Sequence, residues 1–115
     1  MDRTVKVELR PGVADLLWRM GEQALTVELT LDFEGDALKQ AVAFPGAGDP
    51  SLGFQRVRVG DVDVWWRQRF AFASREPQVT QAVCPRRLVV SRVGRALSAF
   101  ASYAREPARR GYADG

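Results

Sequence analysis

The sequence predicts an α+β domain: a twisted, mostly antiparallel (mixed) sheet of about five to seven strands, with a short N-terminal helix and a C-terminal helix packed on it. Three observations point there. Leu25, Val27, Leu29, Leu31 and Phe33 alternate with Thr26, Glu28, Thr30 and Asp32, the period of a strand with one wet face. Two other stretches, Val13-Leu16-Leu17-Met20 and Val93-Leu97-Phe100-Ala104, repeat near 3.6 residues, the period of a helix packed on one side. Between these segments, Gly and Pro fall where a chain of short elements needs its turns.

Taken in order, Val5, Val7 and Leu9 alternate with Lys6, Glu8 and Arg10 and read as a half-buried strand. Pro11-Gly12 stops it and opens the first helix, for which Gly21 is a C-terminal stop. The long strand at 25–33 then runs through Glu34-Gly35-Asp36, a turn, into a hairpin partner at 38–44. Residues 45–53 hold three Gly and two Pro, a loop. A second hairpin runs from Phe54 to Val59 and from Val62 to Trp66, with Arg67 to Ala73 as a possible continuation. Its Gly60-Asp61 turn is compatible with type II′, because Gly supplies the positive φ. Residues 74–77 break the strand, 78–84 fit either a short helix or a strand, and Leu88-Val89-Val90 reads as a short strand or a buried turn. The C-terminal helix is expected over about residues 92–105, closed by Pro107. One domain over 1–107 and a frayed tail at 108–115 complete the expectation.

Composition excludes more chemistry than it suggests. The 115 residues contain no His and one Cys, which is too little for a zinc site, an internal disulfide or a thiol–imidazole pair. No apolar run reaches the roughly 18 to 20 residues that cross a bilayer, and the opening residues lack the apolar stretch of a secretory signal, so a cytoplasmic location is expected. The net charge of +3 is unevenly spread. Residues 1–53 hold five basic groups against nine acidic, and residues 54–115 hold twelve arginines against five acids. Such asymmetry fits an anionic partner; it also fits coding bias, since fifteen of the seventeen basic residues are Arg.

Four constellations bear on function. Asp32, Glu34 and Asp36 share the i, i+2, i+4 spacing of a calcium loop, but no bidentate Glu closes it, and a solvated turn accounts for them. Cys84, followed by Pro85-Arg86-Arg87, is a candidate reactive thiol because neighbouring guanidinium groups stabilise a thiolate; a buried, inert Cys is the alternative. No carboxylate lies inside an apolar run that would raise its pKa, and no phosphate-binding glycine loop is present. The fourth is the run Trp65-Trp66-Arg67-Gln68-Arg69-Phe70-Ala71-Phe72, with Arg56 and Arg58 on the partner strand. Trp65, Arg67 and Arg69 share one face there and, with Arg56 and Arg58, form a candidate anion- or partner-binding face. The competing reading puts Trp66, Phe70 and Phe72 in the core and Trp65 under the C-terminal helix. Two consecutive Trp on one strand point to opposite sides, so one of them must occupy the second face of the sheet.

Val5-Lys6-Val7-Glu8-Leu9 with the helix after it, the hairpin of Leu25–Phe33 and Lys39–Phe44, and Val57-Arg58-Val59-Gly60-Asp61-Val62-Asp63-Val64 together resemble the HesB-like, or A-type iron–sulfur carrier, domain over about residues 4–93. Cluster-carrying members of that family use a Cys after the first long strand and a Cys-Gly-Cys near the C-terminus. This chain has Phe33-Glu34-Gly35-Asp36 and Arg105-Glu106-Pro107-Ala108-Arg109-Arg110-Gly111 there. The resemblance therefore implies a member without cluster, cofactor or metal, non-catalytic and acting through protein contacts or self-association. Binding of single-stranded nucleic acid or another polyanion through the Arg/Trp face is the alternative.

Overall fold

The alternating segments become strands, and they assemble into two sheets. The computed structural model describes residues 5–32, 38–71 and 85–103. Along the chain these form β1 (Lys6–Leu9), α1 (Val13–Arg19), β2 (Ala24–Asp32), β3 (Leu38–Pro45), β4 (Gln55–Val59), β5 (Val62–Ala71), β6 (Arg87–Val93) and β7 (Ala96–Ser102), with a single 3-10 turn at Pro50–Leu52. The architecture is mixed α and β, dominated by strands.

A four-stranded sheet has the order β3-β2-β5-β4 and a three-stranded sheet the order β1-β6-β7. Each contains one parallel pair: β2 beside β5, with Leu25 opposite Val64, and β1 beside β6, with Lys6 opposite Arg87. The remaining neighbours are antiparallel hairpins. The two sheets face each other across one core. Leu25, Val27, Leu29, Val62, Val64 and Trp66 come from the first sheet, and Leu88, Val90 and Ala101 from the second. One end of the core is closed by α1, whose Val13 and Leu17 join the cluster while the helix lies against β6. At the seam between β3 and β7, the inward residues Ala41, Ala43, Ala99 and Ala101 are small, which lets these two edge strands approach closely.

The predicted strand periodicity explains the core directly. Leu25, Val27, Leu29 and Leu31 are fully buried, as one face of β2 should be. Hairpin β4–β5 turns through Gly60 at φ +62°, with no non-glycine residue at positive φ, in keeping with a type II′ turn.

Three expectations fail. The C-terminal helix over 92–105 is, through its described residues, the end of β6 and all of β7. Gly94 at φ +63° and Arg95 form a two-residue turn of the same Gly-X kind as Gly60-Asp61. Beyond it the side chains sort with period two: Leu97, Ala99 and Ala101 pack on the core, whereas Ser98 and Phe100 point outward. Val93 and Phe100, which the helical pattern would bury, are 63% and 59% exposed. The single sheet is also two, because β1 pairs with β6 across some eighty positions of sequence and no local pattern reports such a pairing. Lastly, Met20 is the exposed cap of α1 and lies off its buried stripe of Val13, Leu16 and Leu17. Asp32's side chain, the Glu34-Gly35-Asp36 turn, Phe72, residues 74–84 with Cys84, and the tail at 108–115 lie outside what is described. Among the described residues no helix is long and apolar enough to cross a membrane.

Candidate functional site

The candidate face is the outer surface of the four-stranded sheet, and its geometry follows from register. Each row across the sheet is set by strand pairing: Phe44, Thr26, Trp65 and Arg56 form one row, Val42, Glu28 and Arg67 the next, and Gln40, Thr30 and Arg69 the third. The expected division of the tryptophans holds. Trp66 is in the core with 4% of its surface exposed, and Trp65 occupies the opposite face.

Trp65 is covered, and the cover is a loop where a helix was expected. Strand β3 ends on one edge of the sheet and β4 begins on the other. Residues 46–54 must therefore cross the outer face above β2 and β5. Three strand spacings amount to about 14 Å, well within the reach of nine residues. Several contacts pin this overpass. Buried Thr26 donates its hydroxyl to the Gly46 carbonyl at 2.7 Å. Gly48 lies so close to Trp65 that a Cβ there would sit 2.9 Å from both the Trp65 Cβ and the Phe54 ring. Asp49 caps the 3-10 turn by accepting from the Ser51 backbone N–H and hydroxyl, which hold its carboxyl below the usual carboxylate range. Beneath the overpass Trp65 is half-buried, and among the described residues neither its indole N–H nor that of Trp66 has an acceptor.

The arginines of the face divide by their partners. Arg67 is the anchored one: its Nε and Nη2 donate to Glu28 at 2.9 and 2.8 Å, and its Nη1 donates to the Leu52 carbonyl at 2.7 Å. Its guanidinium also stacks over Phe54 at 4.6 Å from the ring centroid, so Arg67 rivets the overpass to the sheet. Arg58 pairs with Asp63 at 3.0 Å. Arg69 reaches the same Glu28 oxygen at 3.4 Å with most of its side chain in solvent. Arg56 lies 5.8 Å from the Trp65 ring centroid and forms no ion pair among the described residues. The structure thus brings Arg56, Trp65, Arg67 and Arg69 together, with Arg58 at the edge on β4, and neutralises part of their charge through Glu28 and Asp63.

Sequence reasoning missed Glu28, Leu52, Phe54 and Gly48. Glu28 stood in plain view as an outward acid on the long strand, but its pairing with Arg67 depends on the parallel β2–β5 register. The other three belong to the overpass and have meaning only once both its ends are placed. Among the described residues, no three side chains of the metal-binding types cluster. No family model, no curated protein and no solved structure matches this chain.

Proposed function

We propose that this domain is a non-catalytic contact module, a relative in shape of the HesB-like carriers that acts through its surface in the cytoplasm. The observation that carries the reading is the apolar character left on the outer face. Val42 and Phe44 stand one above the other on β3, 41% and 46% exposed, and Leu52 on the overpass is 57% exposed. Large apolar side chains grouped on one face favour a partner that covers them, because each exposed apolar Å² forgoes roughly 25 cal/mol. The order β1, α1, β2, β3, loop, β4, β5 supports the family comparison, which rests on that order. A second copy of the chain is the simplest partner for such a face.

Sedimentation velocity across a concentration series tests the proposal. The wild type is expected to dimerise in the micromolar range. Phe44→Glu should remain monomeric with an unchanged thermal midpoint, since its side chain lies outside the core. A wild type that stays monomeric throughout, and that forms no adduct in cells from a photoreactive group at position 42, would count against the proposal.

The exposed cations favour a second reading, binding of single-stranded nucleic acid or another polyanion. Arg56, without an ion pair among the described residues, and solvent-facing Arg69 support it. The overpass weighs against base stacking on Trp65, so this reading rests on charge and should weaken steeply with salt.

A further inference from the structure

Strand β5 outruns its neighbour β4. The pairing of β4 with β5 begins at Gln55 opposite Trp66, and among the described residues β5 continues to Ala71 beside β2 alone. A depression of about 240 Å³ opens there, lined by Leu52, Gly53, Gln55, Trp66, Arg67, Gln68 and Arg69. We propose that this depression binds a small oxyanion, a carboxylate or phosphate group, held by Arg69 and Arg67.

Three features carry the inference. The first is charge. Arg67 and Arg69 share the single carboxylate of Glu28, and among the described residues neither pairs with another acid. The second is preorganisation. Glu28, the Leu52 carbonyl and the Phe54 ring hold Arg67 in place, so an incoming anion does not have to order it. Arg69 is attached only by the 3.4 Å contact to Glu28, and its planar guanidinium can receive two oxygens side by side. The third is the lining, in which Gln55, Arg67, Gln68 and Arg69 are polar. By register Gln55 and Gln68 border the depression from the Trp66 side of the sheet, opposite the arginines, and the Gln68 Oε1 accepts from the Tyr103 hydroxyl at 3.1 Å. The volume lies below the roughly 300 to 1,000 Å³ of sites for drug-sized ligands, which limits the occupant to one small ion or one charged group of something larger.

This inference shares Arg67 and Arg69 with the polyanion reading, but it needs no extended face. The ¹⁵N-labelled protein would be titrated with inorganic phosphate and, separately, with acetate. The Trp66 indole and Arg69 Nε resonances would be followed, and the ion that saturates at the lower concentration identifies the preferred oxyanion. Saturable shifts in the millimolar range are expected. Arg69→Met should weaken binding by about tenfold, the loss of one charge-assisted contact, without changing the melting midpoint. Arg58→Met removes an equal charge from the same sheet outside the depression and should leave binding intact. Shifts that stay linear with both ions, or equal weakening by the two variants, would overturn the pocket. A wild type that saturates with phosphate yet passes unretained through heparin at low salt would keep the pocket and remove the extended polyanion reading.

Discussion

Gly48 and Gly94 are both required as glycines, for unrelated reasons. Gly48 has no unusual backbone; its constraint is space, with Trp65 and Phe54 already at contact distance from where a Cβ would stand. Gly48→Ala should therefore lift the overpass and cost about 1 to 3 kcal/mol, the usual penalty of overpacking. Chemical denaturation would give the size of the effect, and a red shift of tryptophan emission would show Trp65 entering water. A loss of stability without that shift would place the strain elsewhere. The same scale shows what the sequence could not reveal. That 45–53 is a loop was readable from its Gly and Pro; that Gly48 in particular is required depends on a side chain seventeen positions away. Arg67 likewise looked like one cation among many until the parallel register placed Glu28 beside it.

At the level of elements, the hairpins carry the most instructive error. Val93, Leu97, Phe100 and Ala104 fit a helical stripe and only a helix was expected there, yet Leu97, Ala99 and Ala101 fit a strand at least as well. Gly94 decides between them. A helix would only tolerate a glycine there, whereas a two-residue turn requires its positive φ, as at Gly60. The two readings predict opposite signs for Gly94→Ala. In a helix interior the change would stabilise by up to about 1 kcal/mol, and in this turn it should destabilise by about 1 to 2 kcal/mol. Nothing lies within 4 Å of the added Cβ, so the measured effect reports backbone conformation alone. Strand β2 was legible without such help, because nine residues of strict alternation leave one face for the core. On β1, Glu8 and Arg87 of β6 form a cross-strand ion pair, and that guanidinium holds the Glu8 carboxyl below its ordinary range, a contact that only the parallel pairing creates.

For the molecule as a whole, the α+β class and most strand positions were readable, while the division into two sheets was not. Hairpins announce themselves through turns, but parallel partners such as β1 with β6 are joined by distance in space and leave no mark on adjacent residues. The candidate face shows the same division: Arg56, Trp65, Arg67 and Arg69 were identifiable as a group from strand periodicity, and their cover was not. The composition also makes a demand on the whole molecule. With no His and one Cys, addition of ferrous iron and sulfide under reducing conditions should give no chromophore that survives gel filtration. A stable brown species with absorbance in the visible would refute the proposal of a cluster-free module.

The order of strands also fixes a timetable. All four strands of the larger sheet lie within residues 24–71, so they leave the ribosome together and can pair before β6 and β7 are made. The smaller sheet is built from the two extremes of the described chain, and β1 waits for β6. Until the last hairpin emerges, Leu25, Val27, Leu29, Val62, Val64 and Trp66 lack the second sheet that covers them. An apolar sheet face left uncovered in an unfinished chain is open to aggregation until β6 and β7 are made.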